Sequence, residues 1–264
     1  MSASVATRRS WVEQVMGMPI SIHLRGNASS SARQATVDAV YADLREVDRI
    51  FSTYRSDSDI SRLRREEVTV ADCDPTVAEV LALCEQATRA TGGYFDAWLP
   101  GPDGVVRLDP SGLVKGWAVQ RAAARLASLG EDDFYLNAGG DIALGCATAQ
   151  SSPWRIGIED PDHRESLFGV LALVSGGVAT SGTAHRGAHI VDPTTGQPAT
   201  ALRSVTVTGP SLLWADIYAT AAFARGADAV DWMAWPDGYQ ALAVAADGRR
   251  SATAGMRILL QPPA

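Results

Sequence analysis

"FYLNAGGDIALG", residues 134–145, is the stretch that decides how this chain is built. Its apolar runs have the character of strands, and Gly139-Gly140-Asp141 between them is a turn cluster. Trp154–Ile158, Phe168–Val174 and Val205–Val207 read as strands too, with a further turn at Thr194-Thr195-Gly196. Ala246-Asp247-Gly248 looks like a hairpin turn between two closing strands. Strands joined by turns this short run antiparallel.

The first half of the chain has another period. Residues 10–24 alternate around a Met16-Gly17 break, which puts Ile20, Ile22 and Leu24 on one side of a strand or hairpin. From Ser30 to Phe51, Val37, Val40, Leu44, Val47 and Phe51 recur at helical spacing. A second helix has Asp74 as N-cap, Pro75 at its first position, then Val77, Val80, Leu81 and Cys84, and stops at Gly92-Gly93. A third is expected from about Gly116 to Leu129, with Val119, Ala122, Leu126 and Leu129 on one face, and a fourth from Leu213 to about Arg225. There is no repeat, low-complexity tract or clear linker. The expectation is a single α+β domain over residues 1–264, antiparallel strands covered by helices.

Composition narrows the function. The 264 residues are 46% hydrophobic and 20% charged, with a net charge of −7, which disfavours nucleic acid or an anionic membrane as partner. An anionic small ligand would need a cation or backbone amides to meet it. Cys73, Cys84 and Cys146 are too few and too scattered for a disulfide framework or a Cys-rich zinc site. The N-terminal MSASVATRRSWVEQVMG lacks an apolar segment after its arginines, and no stretch suffices for a membrane span, so the expected compartment is the cytoplasm.

Four stretches carry candidate chemistry. In "RLDPSGLVKGWAV" (107–119), Asp109, Ser111, Gly112, Lys115 and Gly116 precede a helix; this is either a phosphate-facing helix entry or a capped helix with a solvated lysine. In "LNAGGDIALG" (136–145) the glycines before Asp141 suggest close backbone approach or, more simply, a plain turn. In "WADIYATAAF" (214–223), Asp216 and Thr220 share a helix face and offer oxygens to a hard cation, unless the acid is only a helix-start partner. In "TAHRGAHIVDPTTGQP" (183–198), His185 and His189 are four apart, but Gly187 and the β-like "HIVDP" argue against a helical zinc pair. An imidazole of ordinary pKa is a natural general base, and Asp192-Pro193 with Thr194-Thr195-Gly196 would shape its loop.

The order of these blocks is more telling than any one of them. Met16-Gly17, "FSTYRSDSDIS" (51–61), "TGGYFD" (91–96), "LDPSGLVKGWAVQRA" (108–122), "LNAGGDIALG", "ATSGTAHRGAHIVDPTTGQP" (179–198) and "SVTVTGPSLLWADIYATAAF" (204–223) follow one another. In this order the chain resembles the ApbE family, the FAD:protein FMN transferases, over most of its length. The resemblance implies a T-fold-like α+β architecture that binds FAD as substrate together with magnesium. It implies transfer of FMN onto a Ser or Thr hydroxyl of an acceptor protein with release of AMP. Met16, Tyr54, Tyr94, Phe95, Asp96, Asp109, Lys115 and Ile190 match FAD-contacting positions. Asp216 and Thr220 match metal ligands, with Gly112, through its carbonyl, at a third metal-contacting position. His189 matches the catalytic histidine, and His185 has no matching role.

The chain also departs from the family pattern. Only residues 97–108 separate Asp96 from Asp109, where family members commonly carry a longer segment; Thr183 follows "TSG" in place of an acid, and Met18 stands where a Thr is common. These positions bear on acceptor choice. The same site chemistry would also serve an FAD pyrophosphatase giving FMN and AMP, and the short segment leaves open a non-catalytic flavin-binding protein.

Overall fold

The Met16-Gly17 break is a two-residue turn between β1 (Thr7–Val15) and β2 (Met18–Gly26), paired from Thr7–Gly26 to Val15–Met18. On β2 every second residue, Met18, Ile20, Ile22 and Leu24, is buried, as the alternation predicts. The structure is a computed structural model that describes residues 7–100, 104–163, 165–183, 187, 190–232 and 234–263.

Helix α1 (Ser30–Phe51) is capped by Ser29, whose side chain accepts from the Ala32 amide, and buries Val37, Val40, Leu44 and Phe51. A short α2 (Asp59–Arg64) precedes α3 (Pro75–Ala90), which starts as expected with Asp74 as cap and Pro75 in its first turn. A two-stranded ribbon follows, β3 (Trp98–Pro100) paired with β4 (Val106–Leu108). Helix α4 (Ser111–Ala127) begins five residues before the expected Gly116. Glycine inside a helix costs about 1 kcal/mol, so Gly112 and Gly116 look like an entry. Burial of Leu113, Val114 and Trp117 carries the helix through them.

Then follow β5 (Asp132–Ala138), β6 (Asp141–Gly145), β7 (Trp154–Glu159), β8 (Leu167–Leu173) and β9 (Ser175–Gly182). A small hairpin of β10 (Val191–Asp192) and β11 (Gln197–Pro198) leads to β12 (Leu202–Gly209) and α5 (Leu212–Arg225). The chain closes with β13 (Gln240–Ala245), β14 (Arg250–Ala252), α6 (Ala254–Leu259) and β15 (Leu260–Gln261).

Eight strands form one antiparallel sheet in the order β1-β2-β5-β6-β9-β12-β13-β14. The main core lies between this sheet and α1, α3, α4 and α5. On the other face a three-stranded sheet, β15-β8-β7, closes a smaller core of Ile142, Leu144, Ile156, Ile158, Leu171, Val178, Leu242 and Met256. The architecture is the α+β arrangement expected, with α2, the β3–β4 ribbon, β9, β11, α6 and β15 as additions.

Helix α5 is apolar nearly all round and sits deep in the core. Two glycines let it in. A Cβ on Gly177 of β9 would stand 2.5 Å from Leu212 Cα, and one on Gly116 of α4 would stand 3.2 Å from Leu213 Cα. The α5 N-terminus is capped from α4: Gln120 Oε1 accepts from the Leu212 amide at 2.8 Å.

Candidate active site

Strand parity aims Asp141 at the helices. On β6, Ala143 belongs to the helix-side core while Ile142 and Leu144 belong to the other, so Asp141 shares the Ala143 side. Across from it α4 presents Lys115 and α5 presents Asp216, and Lys115 Nζ is ion-paired with Asp141 Oδ2 and 3.6 Å from Asp216 Oδ2. Asp141 and Asp216 are 2% and 4% exposed, respectively. Carboxylates are that deeply buried only when charge or hydrogen bonds compensate them. The Thr180 amide donates to Asp141 Oδ1 at 3.1 Å and fixes that carboxylate. One turn beyond Asp216, Thr220 Oγ1 lies 3.3 Å from Ser181 Oγ of β9.

Lys115, Thr180, Ser181, Asp216 and Thr220 of this cluster line a cleft of about 1600 Å³, and Asp141 is tied to it through Lys115. Met16, Tyr54, Tyr94, Phe95, Asp96, Asp109, Gly112, Lys115, Ile190, Asp216 and Thr220 all line it, so every described residue of the candidate set converges on one space. Their parts differ. Met16 sits in the hairpin turn with φ 55°, a left-handed conformation rare outside glycine. Tyr54 stands almost fully exposed. The Tyr94 hydroxyl accepts from Arg225 at the end of α5, and Asp228, then Tyr94, hold that guanidinium firmly charged. Phe95 is buried, its ring against Gly112. Asp96 accepts from the Trp98 amide at 2.9 Å, and Asp109 accepts from the Ser111 amide at 3.0 Å while pairing with Arg64 at 3.1 Å. Ile190 packs on the core, and its carbonyl accepts from Ala199. His185 and His189 lie outside the described residues.

Two sequence readings need correction. Lys115 and Gly116 do not precede a helix; they lie within it, and the Gly112 carbonyl belongs to the first turn, where it faces the amide four residues on. Asp141 is more than part of a turn. The turn is there, with Gly139 and Gly140 both at positive φ, but its acid is a buried partner of Lys115. An acid opening an otherwise apolar strand was the available signal for it.

The donor set suits a hard cation. Asp141, Asp216, Ser181 and Thr220 all offer oxygen, and Asp141, Asp216 and Lys115 together keep one negative charge in excess. Among the described residues no group of three His, Cys, Asp or Glu side chains is placed to hold a metal, so such an ion would take fewer protein carboxylates than a dedicated cage supplies. The cysteines stay apart from the cleft: all three are free, and burial pushes the Cys84 thiol up to about 12. No helix among the described residues is long and apolar enough to cross a membrane.

Fold and cleft together define an α+β protein with a large cleft whose lining includes buried oxygen donors. The chain belongs to the ApbE family, whose model matches residues 16–100 and 98–243. It is 25% identical to the FAD:protein FMN transferase of Haemophilus influenzae, over 78% of this chain and 77% of that one. To the enzyme of the same description from Vibrio cholerae it is 28% identical, over 76% of this chain and 75% of the other. The crystal structure of the Pseudomonas stutzeri flavinyl transferase ApbE, in apo form, superposes with a TM-score of 0.83 at 25% identity, covering 100% of both chains.

Proposed function

We propose that this chain is a magnesium-dependent FAD:protein FMN transferase that moves FMN from FAD to a Ser or Thr hydroxyl of an acceptor protein and releases AMP. The observation that carries the reading is the convergence of all described candidate residues on one cleft. Its size supports it as well, since small-molecule pockets run to roughly 300–1,000 Å³ and this one leaves room beside a ligand for an acceptor side chain.

Charge explains the need for an added cation. Asp48, Asp96, Asp109, Glu159 and Asp216 line the cleft against Lys115, Arg155 and Arg203, so the described walls repel a diphosphate. Asp216 and Thr220, with Asp141 and Ser181 beside them, would hold magnesium. Bound there, the ion would supply Lewis-acid stabilisation of charge on the pyrophosphate oxygens. Lys115 adds a cation on the same floor, and Tyr94, steadied by Arg225, forms part of the wall that orients the substrate.

In the reaction the acceptor hydroxyl attacks the FMN-side phosphorus and its proton passes to His189. The bond from that phosphorus to the bridging oxygen breaks, and the oxygen leaves with AMP. Water in place of the hydroxyl would give FMN and AMP from the same arrangement.

The test is to incubate the protein with FAD, MgCl₂ and Thr-bearing acceptor peptides and weigh the products by mass spectrometry. A peptide gaining one FMN, with AMP released, is expected. FMN and AMP without modified peptide would move the assignment to hydrolysis, and FAD left intact for hours would make the chain a flavin-binding protein. A chain that binds no FAD ends all three. His189→Ala should abolish transfer with little change in FAD affinity; full activity in that variant would remove His189 from the mechanism.

A further inference from the structure

We infer that Lys115 is the resident counter-ion of the Asp141–Asp216 pair and competes with the divalent cation for it, so that cation and dinucleotide binding are coupled through this one side chain. The inference rests on the functional reading above. Both carboxylates turn an oxygen toward the same ammonium, Asp141 in direct ion-pair contact and Asp216 at 3.6 Å. Their side chains are 2% and 5% exposed, and that of Lys115 is 19% exposed. The three residues come from β6, α5 and α4, so the fold assembles the trio. Burying two carboxylates this deeply is costly unless a cation stands beside them. Among the described side chains, Lys115 stands in that place.

A divalent ion arriving at the same carboxylates meets the lysine charge at short range, where like charges repel strongly in a partly desolvated site. The two cations therefore exclude one another. Lysine is a compact charge on a flexible four-carbon stem, and its side chain already lines the cleft. A dinucleotide's phosphates there draw the ammonium off the pair, and the vacated carboxylates then take the ion. Asp141, fixed by the Thr180 amide, is the residue that holds Lys115 until this exchange. Linkage makes the effect reciprocal: each ligand raises the other's affinity by the same factor.

Calorimetric titration with MgCl₂ alone tests this on wild type and on Lys115→Met, with a second wild-type titration in the presence of FAD. Lys115→Met should bind magnesium about tenfold more tightly than wild type, inside the roughly 5- to 150-fold range of such couplings. MgCl₂ should also raise its melting temperature more than it raises that of wild type, and FAD should tighten magnesium binding to wild type. If wild type with FAD binds the ion but Lys115→Met shows no gain, the counter-ion role is overturned and the functional reading stands. If no form binds magnesium, with or without FAD, both fall. Should Lys115→Met not fold without metal, rescue by MgCl₂ is the expected result, and Lys115→Gln is titrated against the same criterion. A chain that stays unfolded with MgCl₂ in both variants overturns the inference, because the ion then cannot take the place of the lysine.

Discussion

The molecule buries two charge clusters, and they are built on opposite plans. Arg33 of α1 grips Asp132 of β5 through two parallel bonds of 2.5 and 2.8 Å, with side chains 3% and 0% exposed. The Ala28 amide completes the acid's shell, and Arg33 also donates to Thr7. One cation meets one anion in fork geometry, and this ties the first helix to the sheet. At the cleft floor one lysine serves two carboxylates, so the trio keeps an excess negative charge. The first cluster is saturated and has no use for a ligand. In the second, the three described side chains carry two formal negative charges against one positive, and a further cation would suit them. Charge balance, more than burial, separates a pair that holds the fold from one that waits for a partner.

The largest expected effect breaks the second cluster. Asp216→Asn keeps the volume but removes a carboxylate, leaving Lys115 and Asp141 as a balanced pair. Metal-assisted charge stabilisation is worth several kcal/mol, so FMN transfer should fall by about 10³-fold. The same change removes the trio's formal excess charge, so the melting temperature without metal should hold or rise. A large loss of stability would place Asp216 in the same class as Asp132.

Next comes the saturated pair. Arg33→Met strands a buried Asp132 and should cost about 3–5 kcal/mol. Chemical denaturation would measure that loss, which corresponds to a drop of roughly 10 °C in a chain of this size. Transfer activity per folded molecule should be unchanged. A comparable loss of activity with stability intact would show that the two clusters are not distinct in role.

How far such contrasts can be read from sequence depends on what the residues contact. The β1–β2 hairpin, α1, α3 and α5 were legible because their apolar spacing or caps are local signals: Ile20, Ile22 and Leu24, or Asp74 before Pro75. Strand β9, "SGGVATSG", carries glycines that strands usually avoid, and its neighbours explain them: backbone of β12 beside Gly176 and Gly182, and helix α5 beside Gly177. Gly177 is there because Leu212 occupies the space a side chain would need. The start of α4 was hidden for the same reason, since Gly116 makes room for α5. In the cleft, motif order named eleven described residues that the fold does bring together. Asp141 escaped because its partner Lys115 is supplied by another element, and an ion pair across a fold leaves no spacing in the sequence.

The smallest effect asks whether the comparison extends from charge to backbone. Met16, at the cleft, holds φ 55° in the hairpin turn; Glu66, outside the cleft lining, shares this conformation at φ 57°, whereas the N-caps of α1 and α3, Ser29 and Asp74, have ordinary ones. A left-handed residue other than glycine, asparagine or aspartate costs about 1–2 kcal/mol, and Asn-Gly is the pair this turn type prefers. Met16→Asn relieves that cost but gives up part of the apolar contact that half-buries Met16 against the core. The net should be a gain of about 0.5 kcal/mol in denaturant unfolding, accompanied by weaker FAD binding in a fluorescence titration. Strain kept at a ligand-facing turn would then parallel the excess charge kept at the floor, each a cost that a bound ligand offsets. If the variant instead loses stability and binds FAD as before, the turn belongs with Arg33 and Asp132 among the elements that serve the fold alone.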